Sequence, residues 1–192
     1  MQRHRGGRPI FSARLRLVNR DTGRDQWRKR LRAQRAQLSA SERIAAATAL
    51  VNSGLEPATL TTSADLDAFF DQWEYTGRHD RDAAEFAQII GLRPRLRELL
   101  LADRDDAPAL INAMLAEAKA LPQFVRHEGF DWHIHASGPD APWADRILVE
   151  TAMAMIDLIR ADELSRLAVC ADETCEGVVL DLYADNRFLT SG

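Results

Sequence analysis

The chain has only two cysteines, Cys170 and Cys175, in 192 residues, too few to staple a fold with disulfides. No run of residues approaches the roughly 18 apolar positions that a membrane-spanning helix needs. The Arg-rich opening is followed by no apolar stretch of the kind that marks a secretory signal. The cytoplasm is therefore the expected compartment, and no membrane partner is expected. There is also no glycine-rich phosphate loop, dinucleotide fingerprint, serine nucleophile elbow or HExxH helix. These absences leave nucleotide-driven, serine-hydrolase and zincin chemistry without a carrier, and the first expectation is a protein that is not an enzyme. What is present is the balance of a globular domain: 46% hydrophobic and 28% charged residues, enough for one core and a small appendage.

Charge is unevenly placed. The formal net charge is −4, yet residues 1–50 hold 13 Lys or Arg against 3 Asp or Glu, whereas residues 51–192 hold 12 against 26. An opening with Arg3, Arg5, Arg8, Arg14, Arg16 and Arg20 is too polar to form a core alone and attracts phosphate whatever its fold. Residues 1–22 read as a basic flexible tail. Residues 23–45 read as a basic amphipathic extension, in which Trp27, Leu31 and Leu38 form a narrow stripe surrounded by Arg28, Lys29, Arg30, Arg32 and Arg35. Such a helix can lie on nucleic acid, on an anionic surface or against the acidic remainder of its own chain.

Beyond it the periodicity is helical. Ser39 and Glu42 have the spacing of a capping box, predicting a helix from about Ala40 to Val51. Thr62 and Asp65 repeat that signal ahead of a stripe of Leu66, Phe69, Phe70 and Trp73, which reads as core. Residues 80–101 carry a helical pattern that Gly91 and Pro94 should break. Asp105 or Asp106, with Pro108, should open a further helix to Ala118. The period then changes to two: Pro122–Val125 and Phe130–Ala136 read as strands of a hairpin. Gly138, Pro139 and Asp140 should cap a long helix from Pro142 to Arg160.

Two constellations could carry chemistry. In Asp131-Trp-His-Ile-His, strand alternation puts Asp131, His133 and His135 on one face with His127 across the turn, a set able to bind a metal, an anion or another small ligand. In Leu167–Leu182, two cysteines flank a tight turn between β-prone runs, the shape of half a zinc ribbon. A structural zinc ion takes about four ligands, so Cys170 and Cys175 would need histidines or a second subunit to complete the set.

Asp131-Trp-His-Ile-His-Ala, Ala152-Met-Ala-Met-Ile-Asp-Leu-Ile-Arg-Ala-Asp-Glu-Leu-Ser-Arg-Leu, Cys170-Ala-Asp-Glu-Thr-Cys-Glu-Gly-Val-Val-Leu-Asp181 and Asn186-Arg187 together resemble the CGNR zinc-finger family, with Leu50-Val-Asn-Ser and Leu60-Thr-Thr-Ser-Ala-Asp-Leu fitting its start. Members of that family join a helical ABATE, or stress-induced transcription regulator, domain to a small zinc finger. The resemblance covers about residues 46–187. It implies a prokaryotic DNA-binding regulator with zinc as cofactor and Cys170 and Cys175 as the first ligand pair. The family's later cysteines and its Cys-Gly-Asn-Arg signature have no counterpart before Gly192, so a C-terminally truncated member with impaired DNA binding is expected.

The expected fold is mainly α: a helical bundle, residues 46–166, with one small β-hairpin and, in residues 167–192, a cysteine-containing hairpin stub of an incomplete finger. The expected function is that of a transcription-regulator-like binding protein that contacts DNA through Arg28, Arg30, Arg32, Arg35 and Arg187, as a homodimer if two half-fingers share one zinc. The alternatives are a metal-dependent enzyme built on Asp131, His133 and His135, and a helical partner-binding domain without chemistry.

Overall fold

The computed structural model describes residues 40–125 and 133–181, in which the hydrophobic periodicity becomes six α-helices and two short hairpins, the mainly α architecture expected. The first helix, α1, spans Ala40–Asn52, and its small residues Ala46 and Ala47 let it lie close to its neighbours while Ile44 and Leu50 are fully buried. Helix α2, Ser63–Gln72, begins where the sequence signals it: the Thr62 hydroxyl accepts the Asp65 amide at 3.2 Å and the Asp65 carboxylate accepts the Thr62 amide at 2.8 Å. These donors have no intrahelical partner, so a reciprocal pair of side chains decides where the helix starts.

The predicted break falls at Leu92. Helix α3, Ala83–Gly91, ends there and α4, Arg93–Leu100, starts there, with Pro94 in the first turn of α4, where no amide donor is required. Helix α5, Ala107–Glu117, likewise carries Pro108 in its first turn. Asp106 occupies the residue before α5, but its side chain makes no capping hydrogen bond, because its own backbone is already helical. The helix thus starts where Asp106 and Pro108 mark it, without a side-chain cap. The start of α6, Trp143–Arg160, differs from the expected one. Pro142 precedes it without a side-chain cap, and Gly138 instead closes a turn by accepting the Ala141 amide at 3.1 Å. The Pro139 carbonyl is committed elsewhere, to the Arg78 amide at 2.9 Å.

Helix α6 is the axis of the bundle. It buries Trp143, Ile147, Leu148, Ala152 and Met155, and α1 and α5 lie along it while α4 packs on α1. Burial of large side chains such as Ile147, Leu148 and Met155 contributes roughly 1.5–3 kcal/mol each, together more than a single cap. Among the described residues, no helix is long and apolar enough to cross a membrane.

Strands β1, Gln123–Val125, and β2, His133–His135, pair antiparallel with Phe124 opposite Ile134. Both of those side chains are exposed, at 66% and 53%. After α6, a single 3-10 turn at Leu164–Arg166 leads into β3, Leu167–Val169, which pairs antiparallel with β4, Val178–Leu180, placing Val169 opposite Val178. This second hairpin is seated on the bundle: β4 packs against α1, Val178 is buried, and Leu167 and Leu180 pack against the core.

Candidate functional site

The two cysteines flank the β3–β4 connection. Cys170 follows β3, and its amide donates to the Gly177 carbonyl at 2.7 Å, extending the ladder by one bond. Between the cysteines the chain folds back on itself. The Asp172 carboxylate accepts the amide and the hydroxyl of Thr174 at 2.9 and 2.7 Å, and the Cys175 amide donates to the Asp172 carbonyl at 2.9 Å. The Thr174 hydroxyl, and then its amide, hold the Asp172 carboxyl below its ordinary range. Past the turn, the Gly177 amide donates to the Cys175 Sγ at 3.4 Å.

Neither thiol is in a disulfide, and the Cys175 side of the turn is exposed. A sulfur that already receives an amide hydrogen bond is in the environment that ligating thiolates accept, and two thiols across one tight turn suit a thiophilic cation such as zinc. By its chemistry the pair could supply two of the about four donors that a structural zinc ion takes. Among the described residues, no group of three or more His, Cys, Asp and Glu side chains is placed to hold a metal on its own, so the remaining donors would come from elsewhere.

His133 and His135 lie in β2, with backbones opposite Val125 and Gln123. Asp131 and His127, and likewise Arg28, Arg30, Arg32, Arg35 and Arg187, lie outside the described residues.

A polar cluster absent from the expected sites lies where the α2–α3 connection meets α6. The His79 ring is sealed, its side chain 4% exposed, with Nδ1 2.7 Å from Glu85 Oε2 and Nε2 2.7 Å from Asp67 Oδ1. Phe70 stacks on one face of the ring at 4.5 Å, and Trp143 meets it edge-on at 4.9 Å. Glu85 is itself buried, and accepts the Asp80 amide at 3.1 Å and the Arg81 amide at 2.8 Å. Arg146, also buried, donates to the Arg78 carbonyl, and desolvation pulls its pKa down against the attraction of Glu150 and Glu85. Burial pushes the Tyr75 hydroxyl up, and Glu150 pushes it further. Glu150 is raised by burial too, opposed by its ion-pair partner Arg43 and by Arg146.

With both ring nitrogens engaged by carboxylates, His79 has no free position for proton transfer to a substrate. The cluster ties α2, α3 and α6 together. Nothing in the sequence singled out His79, Glu85 or Arg146. The one local signal was the aromatic stripe of α2, and of its members Phe69 is buried while Phe70 and Trp73 are packed at the margin of the core.

No curated protein matches the chain. A family model does: ABATE, described as "Putative stress-induced transcription regulator", over residues 44–162. That span runs from the first turns of α1 past the end of α6, takes in the His79 cluster and the first hairpin, and stops before Cys170. Because the match covers more than half of the sequence and coincides with the helical bundle, the chain belongs to the ABATE family.

Proposed function

We propose that this chain is a cytoplasmic regulator-type binding protein, in which the ABATE bundle carries a metal-binding cysteine turn and a basic segment that contacts nucleic acid. The observation that carries this reading is the seating of the cysteine hairpin on α1 of a bundle whose family is described as a transcription regulator. Cys170 and Cys175 would hold zinc through their thiolates, and a bound zinc would supply a structural cross-link between its ligands. Two donors per chain call for a second pair, and a second copy of the hairpin provides it with the same chemistry, so a homodimer sharing one ion follows.

The test is elemental analysis of the purified protein together with its mass in solution, repeated on the Cys170→Ser/Cys175→Ser variant. The expected result is about one zinc per two chains in a dimer, with both metal and dimer lost in the variant. Zinc that persists in the variant, or a wild-type protein that takes up none, overturns the metal reading.

For nucleic acid, Arg28, Arg30, Arg32 and Arg35 would contact phosphate, which gives affinity without sequence preference and with a steep salt dependence. Fluorescence anisotropy with duplex DNA checks this. Replacing these four arginines by alanine should abolish binding at moderate salt. Undiminished binding by that variant removes the basic segment from the reading.

A further inference from the structure

The segment that follows Cys175 is held residue by residue, at Glu176 and Val178 from the bundle and at Gly177 from the β3 side of its own hairpin. Arg97 of α4 donates to the Glu176 carbonyl at 2.6 Å. The Cys170 amide binds the Gly177 carbonyl. The Asn52 side chain, 126 positions away in sequence, both donates to the Val178 carbonyl at 2.8 Å and accepts the Val178 amide at 2.9 Å. Val178 lies opposite Val169 in a pair whose backbone groups point away from β3, so they would be unpaired on the open edge of β4. Asn52 presents one donor and one acceptor to that edge, the same pair that one residue of an antiparallel third strand would offer.

Gly177 lies between these anchors. Its amide is the donor to the Cys175 Sγ, and a Cβ at Gly177 would come 3.2 Å from that sulfur and 3.8 Å from the Asn52 Oδ1. Gly177 thus has the Cys175 sulfur and the Asn52 carboxamide oxygen both close to the place a side chain would fill. Asn52 is itself fixed: it ends α1, whose last turn is held by Arg93, which donates to the Leu50 carbonyl, the Ser53 hydroxyl and the Leu60 carbonyl.

We infer that Asn52 is a positioning residue for the Cys175 thiol: by clamping Val178 it sets the Gly177 amide against the sulfur, and so preforms half of a metal site from the bundle side. The inference rests on the metal reading for its consequence, but the positioning itself is a property of the metal-free chain. Groups that orient a ligand typically change metal affinity 10–100-fold when removed.

The experiment uses the full chain, with Co²⁺ as the probe because thiolate coordination to it is visible as a charge-transfer absorbance. Wild type, Asn52→Ala, Asn52→Asp, Arg97→Ala and Cys170→Ser/Cys175→Ser are titrated, and amide exchange at Gly177 is followed without metal. Asn52→Ala is expected to raise the half-saturating Co²⁺ concentration about tenfold and to speed exchange at Gly177, with Asn52→Asp and Arg97→Ala giving smaller changes in the same direction. The double cysteine variant should show no thiolate band. Unchanged half-saturation in Asn52→Ala, with unchanged exchange at Gly177, overturns the inference. A wild-type protein with no thiolate band overturns the metal reading instead, and exchange at Gly177 then decides the positioning alone. Should Asn52→Ala fail to fold, Arg97→Ala reads the same segment from an exposed contact.

Discussion

The Asn52 carboxamide and the backbone N–H and C=O of Val178 form a closed two-bond pair, donor to acceptor in each direction, at 2.8 and 2.9 Å. It joins the last residue of α1 to the first residue of β4, so the cysteine hairpin is a docked part of the bundle and its position is set by the helix it touches.

Removing that pair should be felt as lost stability. Val178 is buried, so in Asn52→Ala its amide and carbonyl lose their partners in a place that water does not replace well. The expected cost is about 1–3 kcal/mol, read as a lower urea midpoint with unchanged slope. A midpoint equal to wild type would mean that the edge of β4 finds water or another partner at no cost.

His79 offers a ranking test. Its ring is sealed between a buried carboxylate, Glu85, and a half-exposed one, Asp67. His79→Ala leaves Glu85 buried with one partner fewer and opens a cavity against Phe70 and Trp143, at an expected cost of about 2–3 kcal/mol. Asp67→Ala also takes a partner from the ring, at Nε2, but Asp67 is half-exposed and water can follow it, so the cost should be smaller, about 1 kcal/mol. Chemical denaturation of the two variants checks the order, and equal losses would contradict it.

Two glycines should respond with opposite signs. Gly77 has φ +85, and a Cβ there would lie 2.6 Å from the Pro139 carbonyl oxygen and 2.8 Å from Arg146 Nη1, so Gly77→Ala should destabilise by more than about 1 kcal/mol. Gly91 ends α3 with open space around it, and Gly91→Ala should stabilise by about 0.5–1 kcal/mol through the unfolded chain. Thermal melts of the pair give the signs directly.

The α2 cap sets an acid dependence. The Thr61 amide, then the hydroxyl and amide of Thr62, hold the Asp65 carboxyl below its ordinary range. A carboxyl depressed in the folded state adds stability in full above its unfolded value, near 4, and loses it as pH falls through the folded value. Asp65→Asn should therefore be less stable than wild type at neutral pH, and the gap should close as pH drops below about 4. Urea midpoints of both proteins between pH 7 and pH 3 test it; a constant gap would show that the cap does not depend on the charge.

Much of the fold was legible because it depends on local spacing. The alanine run of α1, the 3.6-residue stripes of α2 and α6, the Thr62–Asp65 box, the break between Gly91 and Pro94 and the alternation that leads to Ile134 each involve residues within a few positions of one another. The misplaced cap at Gly138–Asp140 is local too, but its outcome turned on a distant amide, that of Arg78, which claims the Pro139 carbonyl.

By itself, the sequence determined the helical class, the order of the elements, the family and the two cysteines that face a shared turn, since hydrophobic period and turn chemistry act over short stretches of chain. Only the tertiary structure decided which polar side chains would be buried and with whom. His79 between Asp67 and Glu85, Arg43 on Glu150, Arg146 on the Arg78 carbonyl and Asn52 on Val178 are ordinary surface residue types in sequence. They become specific because close packing removes water from them, and a desolvated polar group must take whatever partner the fold brings within hydrogen-bonding distance.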